Sequence, residues 1–172
     1  VLFDGNPYLV VATTNAINNT VTLVTDPIYG TGGSSEAHLD TTPGDLALGD
    51  INQDGLPDVL VASPDGGVAY TIYTTLSDDG TTLEADVVSP LSVANMVPTH
   101  VGIADVSQDG LADVILVGPP TTGSNGKAAV FLQDVDTNLS SPGVYSTGVE
   151  PQALAVGEVS GAPGLEVVVL NG

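Results

Sequence analysis

Short apolar runs separated by clusters of turn-forming residues make up most of the chain. In the segment 99–151, an alternating stretch at Thr99–Val106 is followed by a compact apolar run at Asp113–Gly118 and by further runs at 127–135 and 143–149. Glycine, proline, asparagine and serine lie between these runs. Such alternation predicts β-strands, and no segment keeps the 3.6-residue period of an amphipathic helix. This segment is therefore predicted to form four short strands.

The same pattern recurs along the chain as an internal repeat. LGDINQDGLPDVLVASP, which begins at Leu48, and IADVSQDGLADVILVGP, which begins at Ile103, are copies that lie 55 residues apart. A third copy begins at Val156, and a partial copy covers Phe3–Thr13. A period of about 50 to 55 residues with four strands in each unit is typical of β-propeller blades.

We therefore predict an all-β fold, a β-propeller-like array of four-stranded antiparallel blades. It contains about three blade equivalents and is incomplete at both ends, because the first unit lacks its opening strand and the last has only two strands. The single repeat array over 1–172 divides into a partial first blade at 1–43, a second blade at 44–98, a third blade at 99–151 and the start of a further blade at 152–172. Closed propellers usually have four to eight blades. Two hypotheses follow: the chain is a fragment of a larger propeller, or it assembles end to end with copies of itself.

The charge balance narrows the classes of partner. There are 21 acidic residues against one basic residue, Lys127, and the formal net charge is −20. Such a surface repels phosphate backbones, so we predict no nucleic-acid partner. No apolar run approaches the roughly 20 residues of a membrane-spanning helix, so we predict no membrane insertion. The chain has no cysteine, which excludes disulfides and thiolate zinc sites. The acidic surface attracts cations, although solubility in a salty medium accounts for much of the charge.

Part of this charge is organised in two loops of identical spacing. In the first loop, DINQDGLPD, oxygen-bearing side chains occupy positions 1, 3, 5 and 9, and a glycine at position 6 permits a sharp turn. The backbone carbonyl at position 7 can add another oxygen. The predicted ligands are Asp50, Asn52, Asp54, the carbonyl of Leu56 and Asp58 in the first loop, and Asp105, Ser107, Asp109, the carbonyl of Leu111 and Asp113 in the second. Hard oxygen donors in this number suit Ca²⁺, which takes six to eight oxygen ligands.

A metal-free turn and an EF-hand loop are the alternatives to a calcium site of this kind. Aspartate and asparagine tolerate unusual backbone angles, so a single loop of this kind is equally consistent with a metal-free turn. Two copies with the same ligand spacing favour calcium. An EF-hand begins with similar residues, but it requires a glutamate at position 12 and flanking helices. Position 12 of the first loop is Val61, in a predicted strand, which excludes an EF-hand.

The two loops, each followed by an apolar strand and then by Ala-Ser-Pro or Val-Gly-Pro, resemble FG-GAP repeats, the blades of integrin-α-type β-propellers. The resemblance implies that each loop joins two neighbouring strands of a blade and that calcium braces the hairpin. It also implies an extracellular or cell-surface location. Asn18 and Asn138 lie in N-x-S/T sequons and are therefore candidate glycosylation sites.

The copies depart from the FG-GAP pattern at several positions. Ser107 stands where aspartate or asparagine is preferred, which weakens the second site. In the third loop, Glu158–Glu166, Ala162 removes the ligand at position 5 and Pro163 replaces the glycine, so we expect no tight calcium site there. The partial first copy keeps only Asp4–Gly5 of the loop.

No residue pattern indicates catalysis, and we predict that the protein is not an enzyme. His38 and His100 have no motif around them, and the acidic pairs at Asp78–Asp79 and Asp134–Asp136 are predicted turns.

Three functional hypotheses remain. The first is an extracellular structural or adhesive module, with Ca²⁺ as its cofactor, that self-associates end to end. The second is a carbohydrate- or protein-binding propeller face. The third is an accessory propeller of a larger secreted enzyme. Candidate stacking platforms for the second hypothesis are Tyr29, Tyr70, Tyr73 and Tyr145.

Overall fold

The computed structural model describes residues 2–3, 6–27, 32–159, 161 and 164–172, and these residues form a series of antiparallel sheets. The first sheet contains β1 (Leu2–Phe3), β2 (Asn6–Asn15), β3 (Thr20–Pro27) and β4 (Gly33–His38). The second contains β5 (Leu46–Gly49), β6 (Asp58–Ser63), β7 (Val68–Leu76) and β8 (Leu83–Leu91). The third contains β9 (His100–Ala104), β10 (Asp113–Gly118), β11 (Asn125–Phe131) and β12 (Gly143–Val149). A terminal hairpin of β13 (Pro151–Gly157) and β14 (Glu166–Asn171) follows.

Each four-stranded sheet is a meander in which strands that are consecutive in sequence pair with each other. The only helical element in these described ranges is a 3₁₀ turn at Pro64–Gly66. None of the described helical structure is long and apolar enough to cross a membrane. The predicted all-β fold with four-stranded, propeller-like blades is confirmed.

The first sheet differs from the predicted strand count. Its opening strand, which the sequence pattern predicted to be missing, is present as β1 but has only two residues, paired through Leu2 with Pro7 and through Phe3 with Asn6. So short a strand carries no alternation that a sequence pattern could reveal. The terminal hairpin has the two strands that were predicted.

The sheets stack face to face, and each junction between consecutive sheets has its own apolar core. All six residues of β6 and all six of β10 are buried, because these strands lie in sheets covered on both faces. This burial explains why each of them contains a continuous apolar run, Val59–Ala62 in β6 and Val114–Val117 in β10, rather than an alternating pattern. The second and third sheets approach closely, since a Cβ atom added to Gly49 would lie 2.6 Å from Cγ2 of Ile103 in the next sheet.

Alternate residues of the second strand face opposite neighbours. In β6, Val59 and Val61 belong to the core shared with the first sheet, whereas Leu60 and Ala62 belong to the core shared with the third. In β10, Val114 and Leu116 pack toward the second sheet, and Ile115 and Val117 pack toward the terminal hairpin. We call these two sides the preceding face and the following face of a sheet. Because side chains alternate across a strand, the repeat gives every sheet one face of each kind.

Candidate metal centre

The two acidic loops connect the first and second strands of their sheets and have the same backbone conformation. In the first loop Gln53 and Gly55 have φ angles of 61° and 85°, and in the second loop Gln108 and Gly110 have φ angles of 62° and 90°. Left-handed angles at positions 4 and 6 turn the chain sharply, and glycine adopts them without steric strain. The spacing therefore encodes one loop structure twice.

The aspartate at position 9 is the most deeply placed residue of each loop. Asp58 is buried, and its Oδ2 accepts hydrogen bonds from the backbone N–H groups of Ile51 (2.8 Å) and Asn52 (3.2 Å). Its Oδ1 accepts a hydrogen bond from the N–H of Thr74 in β7, at 2.9 Å. The carboxylate thus ties the start of the loop to the third strand of the sheet.

Asp113 repeats this arrangement in the third sheet. Its Oδ2 accepts hydrogen bonds from the N–H groups of Val106 and Ser107, each at 3.0 Å. Its Oδ1 accepts one from the N–H of Gln133, also at 3.0 Å, just beyond the end of β11. In the terminal hairpin, Glu166 Oε2 accepts the N–H of Val159 at 2.8 Å, the counterpart of the bond to position 2. In all three loops, the carboxylate at position 9 therefore accepts a hydrogen bond from the N–H at position 2.

Burial has a measurable electrostatic consequence at Asp58. It raises the pKa of the carboxyl group to about 6 from its ordinary value of 3.8, although the N–H groups of Thr74 and Ile51 act in the opposite direction. The negative charge of Asp54 raises this pKa further. The three hydrogen bonds therefore compensate only part of the desolvation of the ionised carboxylate.

The aspartate at position 1 differs between the loops in one respect. Asp50 Oδ2 accepts the N–H of Gly55 at 3.0 Å, and Asp105 Oδ2 accepts that of Gly110 at 2.9 Å. Asp105 Oδ1 also accepts the N–H of Asp109 at 3.1 Å. Asp50 Oδ1, in contrast, is buried and has no hydrogen-bond partner among the described residues. A buried oxygen that lacks a partner is a position where an ion or water is expected to bind.

The side chains at positions 3 and 5 lie at the exposed rim of the loops and hydrogen-bond within them. Asp54 Oδ1 accepts a hydrogen bond from the backbone N–H of Leu56 at 2.8 Å, and Asp54 Oδ2 accepts one from the side-chain Nδ2 of Asn52 at 3.0 Å. In the second loop, Asp109 Oδ1 accepts the N–H of Leu111 at 2.9 Å, while Ser107 Oγ donates to Asp105 at 3.4 Å. Each loop thus brings its predicted side-chain ligands together in one turn.

These ligands satisfy only part of the requirements for a metal site. The donors are the hard oxygens that Ca²⁺ prefers, and the free Oδ1 of Asp50 is available in the first loop. The described residues contain no group of three or more histidine, cysteine, aspartate or glutamate side chains placed to hold a metal ion. The carboxylates at positions 5 and 9 instead point their oxygens at backbone N–H groups of the blade.

The remaining copies of the loop give little further information on metal binding. Ser160, Ala162 and Pro163 of the third loop lie outside the described residues, as do Asp4–Gly5 of the first copy. The predictions made for the metal affinity of these two copies therefore stay predictions.

Sequence reasoning missed a glutamine that connects the second and third sheets. Gln133 is 4% exposed, and its Nε2 donates to the backbone carbonyl of Ile51 at the start of the first acidic loop. Its Oε1 accepts a hydrogen bond from Nε2 of Gln53 at 3.1 Å. The first loop is thereby fixed to its neighbouring sheet. A polar residue directly after the apolar run of β11 was the available signal, but its partners are 80 or more residues away in sequence.

The predicted turns are confirmed. Asp79 Oδ1 accepts hydrogen bonds from the hydroxyls of Ser77 and Thr81, which hold the pKa of its carboxyl below the ordinary value. Asp134 Oδ1 accepts the N–H groups of Asp136 and Asn138. These acids are therefore used in turn formation between strands.

Among the candidate stacking tyrosines only one has an exposed ring in the described structure. Tyr70 is buried, at 7% exposure, and Tyr73 is packed against the core between the second and third sheets. Tyr145 is 62% exposed. Tyr29 lies outside the described residues. Tyr70 and Tyr73 are therefore packing residues and do not offer a stacking platform.

Residues 50–116 match a family model described as an FG-GAP-like repeat. The match begins at the first predicted ligand of the first loop and includes all of the second loop. The resemblance to FG-GAP repeats is thus confirmed for this segment. No curated protein matches the chain.

The hydrogen bonds of Asp58 generate a prediction about stability. Replacing Asp58 with alanine leaves three N–H groups without an acceptor, those of Ile51 and Thr74 in buried bonds and that of Asn52 in a part-buried one, so we expect a loss of about 3 kcal/mol in the free energy of unfolding. Asp113→Ala should behave similarly. Asp65→Ala, which removes an exposed carboxylate from the 3₁₀ turn, is the matched control and should change stability by less than about 0.5 kcal/mol. Urea denaturation in the presence of EDTA measures the effect apart from any metal. Equal stability of the Asp58 and Asp65 variants would show that the bracing bonds are unimportant.

Proposed function

We propose that this protein is a non-enzymatic, extracellular structural or adhesive module whose propeller-like blades are stabilised by Ca²⁺. The observation that carries the proposal is the buried, unpartnered Oδ1 of Asp50 in a loop with three more oxygen-bearing side chains. FG-GAP repeats are typical of extracellular proteins and are typically non-catalytic, which supports the location and the absence of an enzymatic role.

The residues that would hold the ion are the predicted ligands of each loop. Asp50 and Asp54 would supply carboxylate oxygens in the first loop, Asn52 an amide oxygen and Leu56 a backbone carbonyl. Asp58 already accepts hydrogen bonds from three N–H groups, so it would stabilise the ion chiefly through its negative charge. It would bind the ion directly only through a lone pair of its carboxylate that these N–H groups leave free. Bound Ca²⁺ would supply positive charge where none is present. This would lower the repulsion among the carboxylates and hold the loop against the first two strands of its sheet.

The electrostatic setting favours a cation. Across the described residues, the single pairing of acidic and basic side chains joins His100 Nδ1 to Asp45 Oδ2 at 3.5 Å. Lys127, the only lysine or arginine in the sequence, donates to the carbonyl of Ala94 at 3.2 Å. The acidic loops therefore receive no compensation from protein cations, and ions from the solvent have to provide it.

The first loop should bind more tightly than the second. Asp50 offers a free buried oxygen, whereas both oxygens of Asp105 already accept hydrogen bonds. The second loop also has the hydroxyl oxygen of Ser107 at position 3, where the first loop has the amide oxygen of Asn52, which is the stronger ligand for Ca²⁺. Both differences lower the affinity of the second site.

A second candidate function, a carbohydrate- or protein-binding face, is supported by one observation. A groove of about 590 Å³ lies between the third sheet and the terminal hairpin, and exposed Tyr145 lines it. Apolar side chains of both elements form its walls, including Val130, Val167 and Val169. An aromatic ring beside an apolar groove is suited to stacking on a sugar or packing against a peptide. A glycan array with no bound sugar would count against the carbohydrate form of this hypothesis.

Removal of calcium should lower thermal stability. A ligand that binds only the folded state stabilises it by about 2.7 kcal/mol per site at 100 times its Kd, because the unfolded chain lacks the site. For a chain of this length that corresponds to a rise in Tm of roughly 5–10 °C per occupied site. Differential scanning calorimetry in CaCl₂ and in EDTA measures the difference, with MgCl₂ as the control for general ionic effects. An identical Tm in calcium and EDTA would overturn the proposal.

Single ligand substitutions should remove one site at a time. We expect isothermal titration calorimetry to give two Ca²⁺ per wild-type chain, one for Asp54→Ala, one for Asp109→Ala and none for the double variant. The site lost in Asp54→Ala should be the tighter one. Asp65→Ala removes the same charge outside the loops and should retain both sites. Two remaining sites in the double variant would show that calcium binds elsewhere on the acidic surface.

A further inference from the structure

We propose that Gln133 couples the two acidic loops, so that ordering of the second loop by a bound ion strengthens ion binding at the first. Gln133 would be a positioning residue, because it contacts residues that lie beside the predicted ligands of the first loop. This inference deepens the proposed function and rests on it, since it assigns a means of regulation to the same two sites.

One continuous series of hydrogen bonds joins the two loops. Asp113, at position 9 of the second loop, accepts a hydrogen bond from the backbone N–H of Gln133 at 3.0 Å. The side chain of Gln133 reaches the first loop, where Nε2 donates to the carbonyl of Ile51 and Oε1 accepts a hydrogen bond from Gln53. The N–H of Ile51 in turn donates to Asp58, at position 9 of the first loop, at 2.8 Å. The two buried acids are thereby connected through Gln133 and Ile51.

The series lies in the interior of the protein, where water cannot readily replace its members. Gln133 is 4% exposed and Ile51 is 0% exposed. Ile51 and Phe131 belong to the same buried apolar cluster between the second and third sheets, and Leu139 packs against it. A buried amide that loses its partners remains unsatisfied, and hydrogen bonds are stronger where the dielectric constant is low. The contacts of Gln133 are therefore costly to break, which suits it to transmit the position of one loop to the other.

Gln133 holds the first loop on both sides of a predicted ligand. Ile51 and Gln53 stand at positions 2 and 4, on either side of the position-3 ligand Asn52. Gln53 has a φ angle of 61°, so the backbone turns at a point that Gln133 holds. A loop whose turn is already fixed loses less conformational entropy when it closes on an ion, so its affinity is higher. An ion in the second loop, by holding Asp113 and thus the backbone of Gln133, should supply this restraint.

The equivalent residue of the second sheet uses its side chain differently. Thr74 occupies the place of Gln133, because its N–H donates to the position-9 acid of its own sheet at 2.9 Å. Its hydroxyl donates to the carbonyl of Pro57, which also belongs to its own sheet, at 3.2 Å. The connection between loops is therefore a property of the longer side chain in the third sheet, and Gln133→Thr recreates the arrangement of the second.

Site-resolved calcium titrations of isotope-labelled protein by NMR test the proposal. The amides of Gly55 and Gly110 are the reporters, because each donates to the position-1 aspartate of its loop, at 3.0 and 2.9 Å. With Gln133 present, disabling the second loop by Asp109→Ala should raise the Kd read at Gly55 about tenfold, which is a usual strength of coupling between two sites. In Gln133→Thr, the same Asp109→Ala change should alter that Kd by less than about twofold.

The reverse titration should agree, because coupling between two binding sites is reciprocal. Asp54→Ala in the first loop should raise the Kd read at Gly110 by the same factor of about ten when Gln133 is present, and by less than about twofold in Gln133→Thr. Each aspartate substitution removes the same charge in both backgrounds. Long-range electrostatic effects therefore cancel from the comparison, and the difference reports the contribution of Gln133.

Two further variants separate hydrogen bonding from packing and from general contact between the sheets. Gln133→Met keeps a side chain of similar length without its polar atoms, so it should lose the coupling as Gln133→Thr does. Asp45→Ala is the matched control and should retain the coupling. Asp45 accepts the N–H of Val101 at 3.2 Å across the same junction, but near the starts of β5 and β9, whereas the acidic loops follow their ends. Circular dichroism and thermal melting check that each variant is folded, and either substitution of Gln133 can stand in for the other.

Amide hydrogen exchange in EDTA tests the positioning role without any ion. The N–H groups of Ile51 and Asn52 donate to the position-9 acid of the first loop, and Gln133→Thr should speed their exchange about tenfold by freeing the loop. The corresponding amides of the second loop, Val106 and Ser107, should exchange as in wild type. Unchanged exchange at Ile51 and Asn52 would show that Gln133 does not position the first loop.

The outcomes distinguish this proposal from calcium binding itself. An equal response of the Gly55 Kd to Asp109→Ala with and without Gln133 would overturn the coupling and leave calcium binding intact. Coupling that persists in Gln133→Met would also overturn it, since hydrogen bonds would not be its carrier. Absence of any response of Gly55 and Gly110 to CaCl₂ in wild type would refute the proposed function, and the coupling between ions with it.

Discussion

The second and third sheets each depend on the buried carboxylate at the ninth position of their acidic loop. Asp58 gathers three N–H groups from two places that are distant in the chain, the start of the loop and the third strand. Asp113 does the same one sheet later. Because one side chain satisfies donors of both segments, the first, second and third strands keep a fixed relation at the edge where the sheet would otherwise fray.

This arrangement also explains why so much negative charge stands beside a buried strand. The position-9 acid must be near the core to reach its donors, and the acids at positions 1 and 5 shape the turn through hydrogen bonds to Gly55 and Leu56. Each of these acids has a structural role in the loop, whether or not an ion is bound. Their mutual repulsion is the consequence, and the negative charge of Asp54 contributes to the raised pKa of the buried Asp58. A bound cation would relieve this repulsion without replacing the hydrogen bonds of Asp58.

Much of the blade could be predicted from the sequence, because its signals are local. The apolar run at Asp58–Ser63 and its copy at Asp113–Gly118 predicted the strands, and the Asp/Asn/Gly spacing predicted the loops. Three features could not be predicted in this way. The two-residue β1 has no pattern of its own, and the third donor to Asp58 is a backbone N–H, which any residue carries. The contacts of Gln133 join residues far apart in sequence. Sequence periodicity describes a strand, but it does not describe which distant backbone group faces it.

The repeat that makes the blades regular also extends into the first sheet and the terminal hairpin. A sheet whose second strand carries apolar side chains on both of its faces is stable only between two neighbours, because both faces then leave water. The interior sheets meet this condition, and their second strands are buried at every residue. The first sheet and the terminal hairpin inherit the same register, so Val11 and Leu170 are apolar although each is substantially exposed. Copies of one repeat carry the same apolar strand positions unless a copy has diverged in sequence. In the terminal copy, Ala162 and Pro163 stand at positions 5 and 6 of the loop, whereas Val168 and Leu170 keep the apolar register of the strand, so this copy departs from the pattern in its loop and not in its strand.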